Sequence, residues 1–453
     1  MSYQCRITAY KPYRSARHAV IPVSTPIGHA GTRGSHMKSS HNHHRGVRWL
    51  PSNPEVHRTW LSGLLNDIAS ERKPLHPVIA RFQAFIESTA EVYMLFHQMF
   101  DQASNKAPYA DEEAGEAQVH DYRTMLRLFD ALLTRAPEYN RSGVVGVPFN
   151  AILDRAMGTP AGSTAFLHPG VNRHLKEMLD AWGQYLGSPD SRYVLNDDPS
   201  SGWFGTHAMQ DMPHFDTEFA CEPKAPFKGF TSWDDFFTRR FRPNVRPVAS
   251  LEDDAVIVSP CEAAPYRNAT GIARRDRFWI KGQRYSLQHM LADDELTDEF
   301  VGGSVYQAYL SALSYHRWHA PVSGTVVKIV MMPGTYYSET LVEADDAAGP
   351  GQSQGYIAEI ATRALIFIEA DNPAIGLMCL MPVGMAEVST CDVQVYDGQH
   401  VSKGDEIGMF HFGGSTICLL FRPGVELEFD LHGQEPSLKA TNIPVCSRIA
   451  TVS

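Results

Sequence analysis

The chain of 453 residues lacks any apolar run that approaches the roughly 20 residues needed to span a membrane as a helix. The stretch that comes closest, 374–386, contains Pro382 and is typical of a buried strand followed by a turn. Cysteine is also sparse, with seven residues spread along the chain and no Cys-x-x-Cys pair. Scattered thiols in odd number favour a reducing compartment over a disulfide framework. We therefore expect a cytoplasmic protein without an integral membrane segment.

Acidic residues are missing from the first 48 residues, which contain eight Lys or Arg, although the whole chain has a net charge of −11. The remaining body is thus strongly acidic, which argues against nucleic-acid binding because that function needs a basic face. We interpret 1–48 as a disordered basic tail. A mitochondrial transit peptide is the alternative, and the three prolines in this segment work against the amphipathic helix it would need.

The tail also contains six histidines, four of which form a tract between residues 36 and 44, and a histidine-rich tract can bind metal. A solvated, flexible segment is the simpler interpretation, and we expect no metal. The tract consists of His36, His41, His43 and His44.

Apolar residues recur at helical spacing between about 50 and 190, which predicts a helical N-terminal domain over 49–200. The apolar stripes lie at 60–68, 78–86, 92–100, 125–133 and 175–186.

From about 230 onward, short β-branched segments bounded by Gly and Pro predict strands. We therefore expect an α+β protein, in which a curled antiparallel β-rich catalytic domain over 201–453 follows the helical domain. The clearest strand candidates are 325–330, 365–369, 375–380, 387–395 and 417–421, with turns at Gly398, Gly404 and Gly408.

The run 408–416, GMFHFGGST, carries the most informative chemistry. Gly414 leaves its carbonyl unshielded, and Ser415 supplies a hydroxyl beside that carbonyl carbon. Once a base takes the proton of Ser415, the oxygen can attack the carbonyl and convert the amide into an ester. Elimination and hydrolysis would then leave a pyruvoyl group at a new N-terminus. By themselves, however, the residues Gly-Gly-Ser-Thr are more often an ordinary loop.

Four further segments resemble signatures of the phosphatidylserine decarboxylase family and occur in that family's order. These segments are 235–247 (DFFTRRFRPNVRP), 258–263 (VSPCEA), 315–324 (YHRWHAPVSG) and 401–408 (VSKGDEIG). The resemblance implies a proenzyme cleaved between Gly414 and Ser415. Its two products, a β chain of residues 1–414 and an α chain that begins with pyruvoyl, stay associated.

The same resemblance suggests roles for three more side chains. His319 is the candidate base for Ser415, with Glu262 orienting its ring, although the family usually carries Asp at the position of Glu262. His316 matches the histidine expected to protonate the product carbon during turnover. The substrate amine would form a Schiff base with the pyruvoyl group, which then accepts the electron pair left by CO₂. We expect no pyridoxal phosphate, because no segment resembles its lysine site.

One departure from the family bears on the substrate. Phospholipid-directed members carry Asp before the Tyr-His pair, whereas this chain has Ser314. The helical N-terminal block, in particular 82–87 and 157–162, resembles the fungal L-tryptophan decarboxylase branch. We therefore expect an aromatic L-amino acid, with L-tryptophan favoured, as the small-molecule substrate. Such a ring needs an apolar, aromatic pocket, for which the possible walls are Tyr309, Tyr336, Tyr337 and Phe412.

Two other interpretations stay open. A soluble phosphatidylserine decarboxylase that makes phosphatidylethanolamine would share every C-terminal motif. A non-catalytic scaffold could keep the fold, although the presence of Ser415, His319 and His316 together argues against it.

Overall fold

The structure is a computed structural model of the uncut chain. It describes residues 54–70, 73–104, 118–139, 147–276, 285–311, 313–338, 353–387, 390–412 and 415–453. The basic tail 1–48, its histidine tract and Gly414 lie outside these ranges. All the described residues belong to one compact unit, Arg45–Ser453. The domain boundary at residue 200 stays a prediction.

The N-terminal half is helical, as its apolar spacing predicts. Proline at the first turn begins several of these helices, because its missing N–H would have no partner there. Side chains of Asp121, Thr159 and His168 accept hydrogen bonds from backbone N–H groups at the starts of three of them. The helices are α1 (Pro54–Ser70), α2 (Pro77–Ser88), α3 (Ala90–Ser104), α4 (Tyr122–Leu132), α5 (Pro148–Met157), α6 (Pro160–Leu167) and α7 (Pro169–Leu186).

Shorter helices follow. They are α8 (Thr206–Asp211), α9 (Phe215–Glu218), α10 (Trp233–Phe237), α11 (Leu287–Met290) and α12 (Gln354–Ile360), with 3₁₀ turns at Pro189–Val194, Pro226–Gly229 and Glu295–Phe300. Of these helices, α8, α9 and α10 connect the two halves of the chain, and α11 and α12 lie between strands of the second half.

The C-terminal half forms antiparallel sheets, which confirms the expected α+β class. The strands are β1 (Val256–Val258), β2 (Ala264–Thr270), β3 (Ser304–Leu310), β4 (Arg317–His319), β5 (Gly324–Met332), β6 (Arg363–Ala370), β7 (Leu377–Gly384), β8 (Thr390–Val393), β9 (His400–Val401), β10 (Glu406–His411), β11 (Ser415–Phe421), β12 (Leu427–Phe429) and β13 (Arg448–Val452). Their order is β2-β3-β11-β7-β6-β5-β9 in the large sheet, and β4-β10-β8 and β1-β13-β12 in the two small ones.

Strand β11 lies inside the large sheet, between β3 and β7, and both of its faces are buried. Ile417 and Leu419 pack into the apolar core on one face, whereas Cys418 and Leu420 pack into the core on the other. This alternation follows from the two-residue period of a strand. The start of β11 is thereby fixed in position by two neighbouring strands and two cores.

The helical half packs against the sheet half through an apolar cluster that includes residues of both. Trp182 of α7 and Phe412, just before β11, place their ring centroids 5.8 Å apart. The contact is close, because a Cβ added at Gly183 would come within 2.7 Å of the Phe412 ring. Helix α7 therefore supports the chain that leads into Ser415.

One predicted turn is wrong. Gly398 and Gly404 do lie in turns with positive φ, but Gly408 lies within strand β10. A Cβ at Gly408 would come within 2.5 Å of both the Asp392 carbonyl oxygen and the Trp318 ring. Glycine is needed there for close packing of neighbouring strands, not for a turn.

Within the described ranges, none of the helices combines the length and apolar character required to cross a bilayer.

We predict that Leu419→Ala lowers the free energy of unfolding by about 3 kcal/mol, because it leaves a cavity at a fully buried position. Urea unfolding of chains kept uncut by Ser415→Ala would measure the effect. Leu251→Ala is the matched control, since Leu251 is 53% exposed and its loss should cost less than about 0.5 kcal/mol. Equal effects at the two positions would contradict the core placement of β11.

Candidate active site

Ser415 is the first residue of β11, opposite Leu310 of β3 and Gly384 of β7. It is fully buried, and its Oγ has no hydrogen-bond partner among the described residues. A buried hydroxyl without a partner costs roughly 1–3 kcal/mol, so such groups in native proteins call for an explanation. A reactive role for the hydroxyl supplies one, and this residue fits the expected precursor of a pyruvoyl group.

His319 ends β4, and both ring nitrogens have partners. Nδ1 lies 2.7 Å from the Gly404 carbonyl oxygen, and Nε2 lies 2.9 Å from the Tyr315 hydroxyl. Because a carbonyl oxygen only accepts, Nδ1 must carry the proton, which leaves the Nε2 lone pair directed at Tyr315. Burial lowers the pKa of His319 below its usual value, although the Gly404 bond opposes this shift. The ring is therefore held neutral, in the form that can accept a proton.

Glu262 makes different contacts from those expected. Its Oε1 accepts hydrogen bonds from Nε and Nη2 of Arg246 at 2.9 and 2.6 Å, and its Oε2 accepts from the Val445 backbone at 2.5 Å. The carbonyl of Gly404, and not this carboxylate, orients the His319 ring among the described residues. Burial raises the pKa of Glu262, while Arg246 opposes the shift. The longer Glu side chain reaches the arginine, and any part it plays in processing stays a prediction.

His316 has different surroundings from those of His319. It is fully buried, and its ring stacks on Phe237 of α10 with centroids 3.9 Å apart. Its backbone carbonyl accepts a hydrogen bond from the Phe410 N–H at 2.9 Å, which ties it to β10. The two histidines therefore have separate environments, as expected if they have separate tasks.

The family signature around α10 builds the frame for His316. Arg239 is buried and its Nη2 donates to the carbonyls of Leu313 and Ser314 at 2.6 and 3.3 Å. Burial lowers the pKa of Arg239 to about 10. The Thr238 carbonyl accepts from Nε of Arg317 at 2.7 Å. Sequence analysis singled out this motif by resemblance, and the contacts supply its physical purpose.

Glu406 of β10 forms ion pairs with two arginines. Its Oε1 accepts from Nη1 of Arg317 and, at 3.0 Å, from Nη2 of Arg240. Burial alone would raise the pKa of Glu406, but the two arginines hold it below its usual value. Because Glu406 is also the register partner of His319, this ion-pair network stabilises the strand that carries the candidate base.

His411 lies four residues before Ser415 and bridges two acidic side chains. Its Nδ1 is 2.9 Å from Asp234 of α10, and its Nε2 is 3.5 Å from Asp392 of β8. Burial opposes the charged ring, but the two carboxylates outweigh it and raise the pKa of His411. Sequence analysis missed this contact, since no local pattern links residues 234 and 411.

The side chain of Ser314, the residue before the Tyr-His pair, belongs to a neutral hydrogen-bond network. It is buried, and its Oγ accepts from the Asn442 side chain at 2.9 Å and from the Ser311 backbone at 3.2 Å. The segment before His316 therefore contains no negative charge at this position.

Across the ranges that the structure describes, no group of three or more His, Cys, Asp or Glu side chains is placed to hold a metal ion.

The chain matches two family models, both described as phosphatidylserine decarboxylase, over residues 76–212 and 233–442. L-tryptophan decarboxylase of Psilocybe cubensis is 37% identical over 86% of this chain and 92% of the relative. Decarboxylase iboD of Amanita muscaria is 43% identical over 63% of this chain and 86% of the relative. Phosphatidylserine decarboxylase proenzyme 2 of Oryza sativa subsp. japonica is 26% identical over 71% and 48%.

These similarities, together with the α+β fold and the buried serine, define a carboxy-lyase of the pyruvoyl type. The chain belongs to the phosphatidylserine decarboxylase family.

We predict that His411→Gln lowers stability in a pH-dependent manner. Because the folded-state pKa of His411 is raised, its stabilising effect is complete below about pH 6.5 and is lost as the pH rises through the folded-state value. The difference in unfolding free energy from the parent should therefore shrink between pH 5.5 and 8.5, as measured by urea unfolding of uncut chains.

His400→Gln is the control for this prediction, since its ring and its partner Asp371 are 55% and 42% exposed. An exposed pair of this kind contributes little at any pH. A His411 effect that stayed constant or grew with pH would contradict the charged bridge.

Proposed function

We propose that the protein is a proenzyme that cleaves itself between Gly414 and Ser415, and that the mature enzyme decarboxylates an aromatic L-amino acid, with L-tryptophan favoured. The observation that carries the processing step is the buried Ser415 hydroxyl, which has no partner among the described residues. The substrate assignment is supported by the similarity to L-tryptophan decarboxylases, which extends through both halves of the chain.

In the processing step, Nε2 of His319 takes the Ser415 proton, directly or through the Tyr315 hydroxyl that it already contacts. The serine oxygen then bonds to the Gly414 carbonyl carbon and the peptide C–N bond breaks, which gives an ester and a free amine. Elimination releases the Gly414 carboxylate and leaves dehydroalanine. Water then replaces its nitrogen, which departs as ammonia, to give the pyruvoyl group.

The two chains stay together because of where the cut falls. Strand β11 begins at Ser415 and pairs along its whole length with β3 and β7. Cleavage before Ser415 removes none of these ladders. Strand β11, with which the α chain begins, therefore remains inside a sheet whose other strands belong to the β chain, and both of its faces stay buried.

In turnover, the pyruvoyl carbonyl supplies the electrophile that takes up the electron pair released with CO₂. His316 delivers a proton to the product carbon. Stacking on Phe237 and the backbone bond to Phe410 fix this ring, and exclusion of water from such a buried position protects the carbanion from unselective protonation.

We also propose a cytosolic location. The cysteines that the structure describes are all free thiols, which suits a reducing compartment.

We predict that substitutions separate processing from turnover. Ser415→Ala should abolish both, and the intact mass should stay at 50.4 kDa. His319→Ala should slow cleavage by about 100-fold or more, because the general base is lost. His316→Ala should cleave at the normal rate but lose about 100-fold or more in kcat. Mass spectrometry and a CO₂ assay measure the two steps. Full activity of either the Ser415 or the His316 variant would contradict the assigned roles.

We predict that the mature enzyme releases CO₂ from L-tryptophan at least about tenfold more efficiently than from phosphatidylserine micelles, because the site is fitted to a free aromatic amino acid. The comparison is of kcat/KM on one preparation whose cleavage is confirmed by mass. The reverse preference would support the phospholipid-directed alternative, which the family and the Oryza relative represent. Absence of CO₂ from both would argue for a non-catalytic scaffold.

A further inference from the structure

A cavity lies between the helical half and the large sheet. Its walls combine apolar and polar side chains from both halves of the chain, as a binding site for an aromatic ring requires. They include Asn150 and Met157 of α5, Tyr336, Tyr337, Met385 and Ala386.

The sheet register places this cavity beside the processing site. Gly384, the last residue of β7, is the register partner of Ser415. Met385 and Ala386 follow it directly and form part of the cavity wall. Ala386 also shares an apolar cluster with Tyr337 and Phe412. A substrate joined at residue 415 therefore has this cavity within reach of its side chain.

Two residues of the cavity wall and one residue next to it in the chain have buried polar atoms that lack partners among the described residues. They are the Tyr337 hydroxyl, both side-chain atoms of Asn150, and Oε2 of Glu387, the residue after Ala386. All three side chains are at most 2% exposed. Leaving so many buried polar groups unsatisfied is costly. Their concentration around one cavity indicates a ligand that brings a hydrogen-bonding group of its own.

The two oxygens of Glu387 have different surroundings. Oε1 accepts from the Asn150 backbone N–H at 2.7 Å and so caps the start of α5, where a carboxylate is favoured by the helix dipole. Oε2 has no such bond among the described residues. Burial raises the pKa of Glu387 to about 8, although backbone N–H groups of Asn150, Phe149 and Glu387 itself oppose the shift. The helix cap therefore accounts for Oε1 but not for Oε2.

We propose that this cavity receives the substrate's aromatic ring and that Glu387, assisted by Tyr337 and Asn150, recognises the ring N–H of an indole. The inference rests on the proposed decarboxylase function and extends it to the group that selects the substrate. The cavity is narrow in this structure, so the ring enters as the walls move apart. Met157 and Met385 permit this, since methionine has flexible, unbranched side chains.

The test compares L-tryptophan with 3-(3-benzothienyl)-L-alanine, in which sulfur replaces the ring N–H at nearly the same shape. In the parent enzyme, kcat/KM for tryptophan should be higher by about tenfold to a hundredfold, because the analogue leaves Glu387 unsatisfied. In Glu387→Gln the kcat/KM values for the two substrates should differ by less than about threefold. The amide keeps an oxygen that accepts from Asn150, but it directs an N–H donor towards the ring.

Glu359→Gln is the matched control. Glu359 is also buried, its pKa is also raised to about 8 by burial, and it also accepts from a backbone N–H, that of Ser286. The Glu359→Gln variant should leave the ratio of kcat/KM for the two substrates unchanged. Tyr337→Phe is the second variant, which keeps the ring and removes the hydroxyl, and it should lower the ratio several-fold even if Glu387→Gln fails to mature.

The possible results distinguish failure of the indole contact from failure of the proposed decarboxylase function. A parent enzyme that decarboxylates tryptophan and the benzothienyl analogue equally well overturns the indole contact and leaves the proposed function standing. So does a ratio that neither the Glu387 nor the Tyr337 variant alters. A cleaved parent enzyme that acts on no aromatic amino acid overturns both.

Discussion

The pairing of β11 with β3 and β7 is the constraint on which the site depends. It fixes Ser415 between Leu310 and Gly384 and removes its hydroxyl from water. An exposed serine would hydrogen-bond to solvent and would find no fixed base. Here the strand is held by cores on both faces, so the energy of the fold maintains this buried hydroxyl without a hydrogen-bond partner among the described residues.

Helix α10 and the residues just after it contact several segments that are distant in the sequence. Its Asp234 bonds to His411 before the processing site, and its Phe237 stacks on His316. Arg239, just after the helix, holds the carbonyls of the segment that leads to His316. One short helix therefore positions the chain on both sides of the chemistry. The Phe-Phe-x-Arg signature is best understood as a positioning element that need not touch substrate.

Sequence patterns predicted the elements in which local chemistry dominates. Helices such as α1 and α7 follow from apolar stripes, β5 from a β-branched run bounded by glycine, and β6 from a short apolar run. Strand β3 was missed because its buried face includes Gln307, whose side chain bonds to Thr416 of β11. This hydrogen bond joins residues that are far apart in the sequence. A local pattern therefore does not indicate that a strand with a polar residue at this position is buried in the core.

The candidate site shows the same limit. Motifs predicted Ser415, His316 and His319 as residues of interest, since their types suit the chemistry. They did not predict that Gly404 would orient His319 while Glu262 paired with Arg246. Such partners depend on how segments far apart in the chain approach each other.

The two halves of the chain have different parts in this arrangement. Phe237, Tyr315 and Gly404, which contact His316 and His319, all lie after residue 230. The helical half contributes Trp182, which packs on Phe412 before Ser415, and Asn150 and Met157 of the cavity wall. Glu387 joins the two, because it follows β7 and caps α5. On this view the helical half can change the shape of the cavity while the processing frame stays intact. Relatives that share the frame can then act on substrates as different as a phospholipid and a free amino acid.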